Sequence, residues 1–131
     1  MYCSSIHHLK IMNSAILVFG YEKKDVDAIY KTISSCLNRP LSLYSASGNE
    51  SYTIEQLLTK SDNHFEENDP KIIMFVSIEN EEIHSILNSF PSTVIRPIFC
   101  GLTQHNKSWT FSSLKEHLLE EKAYWEKQKK K

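Results

Sequence analysis

The side chains best suited to chemistry gather in one late stretch: Cys100, Thr103, His105, Asn106 and Trp109. A thiol followed closely by an imidazole is the makings of a cysteine nucleophile with His105 as its base. That chemistry needs an activated thiolate and hydrogen-bond reach between the two groups. Against it, Cys100 falls inside an apolar run, where a buried, inert thiol is the ordinary outcome. Thr103, Asn106 and Trp109 offer a hydroxyl, an amide and an aromatic face, which suits contact with a ligand rather than a reaction. The same string also has a purely structural reading. Thr110 as N-cap would accept from an orphan amide of the first helical turn. Trp109 and Leu114 would then stand at N′ and N4, the positions of a hydrophobic staple. Thr103 or Asn106 would tie the loop to its own backbone.

Other chemistries are weaker. Cys3, His7 and His8 could chelate, but near a chain end they read as an incidental cluster, and Cys100 with His105 lacks further ligands at zinc-like spacing. Glu66, Glu67 and Asp69 lie in a polar stretch, residues 61–70, with no metal-loop spacing, and a solvated surface loop is expected there. The three glycines, Gly20, Gly48 and Gly101, form no glycine-rich phosphate loop. His84 and His117 fall on helical patterns and read as surface or boundary residues. Lys122, Lys127, Lys129, Lys130 and Lys131, with Tyr124 and Trp125 among them, could touch nucleic acid. Lysines at a helix C-terminus more often complement its dipole and stay solvated. No metal and no cofactor is implied. The expected partner is a small molecule or a protein, a second copy of the chain included, and nucleic acid is not favoured.

A net charge of −1 over 131 residues creates no field that calls for nucleic acid or an acidic membrane. The three cysteines are odd in number and spread apart, so a reduced, cytoplasmic setting is the expectation. No apolar run approaches the roughly 18 residues of a membrane span. Residues 1–13 read as a loosely ordered leader, which an upstream start could equally explain, and 14–131 as one α/β domain. A chain of this size buries about two-thirds of its unfolded surface, enough for a core without staples.

The elements that must position these groups repeat. Ile16-Leu17-Val18-Phe19 returns as Ile72-Ile73-Met74-Phe75. With one residue inserted, Val26, Ile29, Ile33, Arg39, Pro40 and Leu41 then match Ile83, Ile86, Phe90, Arg96, Pro97 and Ile98. Each copy, about 15–45 and 71–102, is an apolar strand, an amphipathic helix, Arg-Pro and a second strand. The apolar first and third strands should be central. The second and fourth begin beside Pro40 and Pro97 and should be edges. Asn80 reads as the N-cap of the second repeat's helix, and Ile95 to Leu102 as the fourth strand. Ile54, Leu57 and Leu58 mark a short helix between the repeats. A long helix over about 110–128 carries Phe111, Leu114, Leu118 and Trp125 on one stripe. An α+β, ferredoxin-like split β-α-β plan follows, with strand order 4-1-3-2, an antiparallel sheet and the C-terminal helix added. A doubly wound parallel α/β sheet is the alternative, because the middle segment is long enough for a crossover.

Leu102-Thr103, Asn106, Trp109, Thr110, Leu114, Leu118 and Glu120-Glu121 resemble the C-terminal signature of a family of small, mostly bacterial proteins catalogued as a domain of unknown function. The resemblance is sharp over about 99–125 and looser upstream. The chain departs from the family pattern at Gln104-His105 in place of Pro-Thr, and at Ser113 in place of a capping-box Glu. It departs again at Cys100-Gly101 in place of Lys-Ala and at Glu121-Lys122 in place of Glu-His. The lysine and histidine a catalytic reading would want are therefore missing. The resemblance implies no activity. Sequence thus points to a small non-enzymatic binding or regulatory module with a site at 103–109. An enzyme using Cys100 or His105, and a nucleic-acid contact through the last helix, are the alternatives.

Overall fold

A computed structural model describes residues 13–59 and 64–129. In chain order its elements are β1 (Ala15–Phe19), α1 (Lys23–Ser35), β2 (Ser42–Ser45), α2 (Ile54–Leu57), β3 (Ile72–Val76), α3 (Asn80–Ser89), β4 (Ile98–Gly101) and α4 (Phe111–Lys129). β1 and β3 are buried along their whole length. Strands that are apolar without alternation need cover on both faces, and they have it. Ile16, Val18, Ile73 and Phe75 pack against Val26, Ile29 and Ile33 of α1 and Ile86 of α3. The opposite side chains, Ala15, Leu17, Phe19, Ile72, Met74 and Val76, pack against Ile54 and Leu57 of α2 and Phe111, Leu114 and Leu118 of α4. The result is three layers, with the sheet in the middle.

The sheet runs β2-β1-β3-β4. β1 pairs with β2 and β3 with β4 in parallel, while β1 and β3 are antiparallel, with Leu17 opposite Met74. The α+β plan of two β-α-β repeats with a long C-terminal helix is present, and β2 and β4 are the edges. The strand order is not 4-1-3-2, however, and the sheet is mixed rather than antiparallel. Each crossover joins neighbouring strands. The 4-1-3-2 order would make β2 and β3 hairpin neighbours, whereas here the segment between them carries α2 onto the α4 face. The antiparallel β1–β3 pair equally excludes the wholly parallel alternative.

Three local expectations are corrected. Glu79, not Asn80, caps α3: it and Glu82 form a reciprocal capping box. β4 is only Ile98–Gly101, and Ile95 lies exposed before Pro97, which has no amide to extend the ladder. The described part of the acidic loop, 64–70, is docked rather than merely solvated. Ser45 Oγ donates to the His64 carbonyl, Asn68 N–H donates to the Gly20 carbonyl at 3.1 Å, and Phe65 packs against the α1 face. The loop's acids neutralise Lys71, whose side chain is only 4% exposed. Its ammonium donates to Glu67 at 2.8 Å, to the Asn68 carbonyl at 2.9 Å and to Asp69 at 3.3 Å. A buried ammonium is tolerated when paired and hydrogen-bonded in this way.

The two Arg-Pro steps have diverged. Arg96 lies over Phe90 and Phe99, at 5.8 and 5.4 Å from the ring centroids. Arg39 instead bridges the repeats, donating to both carboxylate oxygens of Glu82 at 2.6 and 2.8 Å and to Ser14 Oγ at 2.6 Å. Arg39 first, and the Glu79 amide second, hold the Glu82 carboxyl down to about 2 from its ordinary 4.5. A depressed folded-state pKa stabilises the protein above the unfolded value and is lost as pH falls through the folded one. Urea denaturation of the wild type should therefore show stability falling from about pH 4.5 towards pH 2. Glu82→Gln should be less stable at neutral pH and should lose this part of the acid limb. An unchanged acid limb would mean that the bridge does not hold in solution.

Candidate functional site

β3 and β4 run parallel and end at the same margin of the sheet, where β3 leads through Ser77 into α3 and β4 leads into the 102–110 junction. Thr103 and Asn106 fasten that junction to itself. The Asn106 amide donates to Thr103 Oγ1 at 3.0 Å, and the Thr103 amide donates to Asn106 Oδ1 at 2.9 Å. Asn106 Nδ2 donates to the Gly101 carbonyl at 3.1 Å. The junction then closes on α2: the Ile54 and Glu55 amides donate to the carbonyls of Trp109 and Lys107 at 2.8 and 3.0 Å. Thr110 Oγ1 accepts from the Ser113 amide at 3.2 Å, as an N-cap does, and Trp109 packs on the cluster that contains Leu114.

A cleft of about 530 Å³ opens beside this junction. Phe75, Ile78 and Ile83 give it an apolar side, while Thr103, Gln104 and Lys107 give it a polar rim. The volume is in the range of small-molecule sites, about 300–1,000 Å³. Gly101 also lines it, and a Cβ there would meet only the Phe75 carbonyl, at 3.9 Å. Lys107 is half-buried, and among the described residues its ammonium has no carboxylate partner. Ser77, at φ 54°, is the one positive-φ non-glycine residue among those described, and it sits on the cleft wall.

The three contact residues expected from sequence are separated by this geometry. Thr103 is on the cleft. Asn106 stands behind it, its side chain committed to the loop. Trp109 is on a different surface with Ser113 and His117, its ring edge-on to His105 at 5.4 Å and to His117 at 5.2 Å. Nothing in the sequence marks Lys107 as a site residue, and Gln104 and Gly101 stand out there only as departures from the family pattern, though all three lie in or beside the signature string.

His105 meets the Trp109 ring, and among the described residues no hydrogen bond links it to Cys100. Burial, and secondarily the Glu121 carboxylate, push the Cys100 thiol up to about 12. At neutral pH it is protonated, which is the opposite of an activated nucleophile. Among the described residues no group of three or more His, Cys, Asp or Glu could hold a metal ion. Cys3, His7 and His8 lie outside those residues, as do Lys130 and Lys131 of the basic tail. Within α4, Lys122 lies 3.9 Å from Glu126, so the lysines share their surface with acids. No described helix is long and apolar enough to cross a membrane.

Residues 71–125 match the model of a family described as Domain of unknown function (DUF3783). That span holds the second repeat, the 102–110 junction and most of α4, and it includes the whole C-terminal signature. No curated protein and no solved structure matches the chain.

Proposed function

We propose that the chain is a non-enzymatic binding module whose ligand site is the cleft at the ends of β3 and β4, with Thr103 and Lys107 on its rim. The observation that carries this reading is Lys107: a half-buried lysine lining an apolar-sided cleft, with no carboxylate partner among the described residues. The complementary ligand is a small organic acid, its carboxylate on Lys107 and its apolar body on Phe75, Ile78 and Ile83. Asn106 serves by holding the rim. Asn106→Ala is therefore a poor probe, because it would lose loop hydrogen bonds whether or not a ligand binds.

The test is a thermal-shift screen of organic acids on wild type, Lys107→Gln and Gly101→Val. Gly101 has no positive φ, and a Cβ there would meet only the Phe75 carbonyl oxygen, at 3.9 Å. A ligand at about 100 times its dissociation constant adds about 2.7 kcal/mol and raises the wild-type melting temperature. Both variants should melt near the wild type without ligand and lose the shift. An acid that stabilises all three proteins equally, or no acid that stabilises any, overturns the site.

A further inference from the structure

Helix α4 is built for two surroundings. Its first half buries Phe111, Leu114 and Leu118 against the sheet. Beyond Leu118 it leaves the core, with Tyr124 55% and Trp125 59% exposed and their rings edge to face at 5.2 Å. Large aromatics left in water on one helical face mark an interaction surface.

The charges around that face are self-complementary. The segment reads Glu120-Glu121-Lys122-Ala123-Tyr124-Trp125-Glu126-Lys127-Gln128. At about 100° per residue, Glu120 and Lys127 fall on one flank of the Tyr124–Trp125 face and Lys122 on the other, with Glu121 between the two aromatics. Two such helices laid antiparallel, with a two-fold axis beside Tyr124, bring Glu120 of each copy close to Lys127 of the other, while Lys122 keeps its own Glu126 at 3.9 Å. Symmetry makes this pair twice. Ala123 comes opposite Trp125, so a small residue makes room for a large one.

We propose that a second copy of this chain docks here, α4 against α4 in antiparallel register, with Tyr124 and Trp125 at the centre. This stands apart from the cleft and does not depend on it. An aromatic centre flanked by exposed charge pairs is the anatomy of a small interface with a hot-spot centre.

Sedimentation velocity of the full chain over a range of concentrations tests it. The mass should rise from the 15.2 kDa monomer to twice that value. Trp125→Ala should weaken dimerisation about tenfold or more, as truncation of a central tryptophan does. Glu120→Lys and Lys127→Glu should each weaken it through like-charge contacts, and the double variant should recover it. In one helix these two residues are about two turns apart, too far to pair, so recovery can only act between copies. A monomer at every concentration, a dimer indifferent to Trp125→Ala, or single losses that the double variant does not restore would each overturn the proposal. All three positions are exposed, so circular dichroism should show the variants folded.

Discussion

Phe111→Ala is expected to lower the free energy of unfolding by about 3–5 kcal/mol, the usual cost of removing a buried phenylalanine. Phe111 is fully buried, and its ring lies 5.1 Å from that of Phe19 at the end of β1. Its amide donates to the Tyr52 carbonyl at 2.9 Å, so the first residue of α4 fastens that helix both to the sheet and to the segment leading into α2. Removing the ring leaves a cavity between α4 and the end of β1. Domains of this kind hold only about 5–15 kcal/mol in total, so the loss is a large share. Urea denaturation should show a lower midpoint with an unchanged slope. Trp125→Ala, further along the same stripe but outside the core, should leave the monomer's stability nearly unchanged. Similar losses from both would mean that α4 is buried along its whole length.

The contrast between Phe111 and Trp125 also marks what sequence could tell. Both belong to one apolar stripe, and periodicity does not say where the sheet beneath a helix stops. The central strands were legible because Ile16–Phe19 and Ile72–Phe75 are apolar without alternation, and the edges because Pro40 and Pro97 stand at their starts. Strand order was not, because β1 chooses β3 through side chains on two buried faces rather than through any local pattern. The capping and loop bonds of the junction were legible for the opposite reason. Thr103 with Asn106, and Thr110 with Ser113, interact across a single turn of chain. The cleft was not legible, since Phe75, Ile83 and Lys107 come from three separate segments. The acidic loop misled because Glu67 and Asp69 look like solvated residues until Lys71 is seen buried between them.

Gly20→Ala should be the most damaging of the glycine substitutions. Gly20 has φ +97°, a conformation that side chains rarely adopt and that costs about 1–3 kcal/mol when forced. A Cβ there would lie 2.9 Å from the Asn68 carbonyl oxygen, 3.0 Å from Lys71 Cγ and 3.1 Å from Lys71 Cα. Two of these are backbone atoms, and the loop cannot draw back freely, because the Asn68 amide is bonded to the Gly20 carbonyl and the Lys71 ammonium to the Asn68 carbonyl. Strain and clash together should cost roughly 3 kcal/mol or more. Gly48 separates the two terms: its φ is +81°, but a Cβ there would meet only His64 Cδ2, at 3.8 Å. Gly48→Ala should then show the strain alone, about 1–2 kcal/mol. Denaturation curves of the two variants measure the difference directly. Equal losses would mean that the 64–70 loop is not seated on the end of β1. A loss at Gly20 well beyond that at Gly48 would mean that the loop, and the buried lysine it neutralises, are part of the folded core.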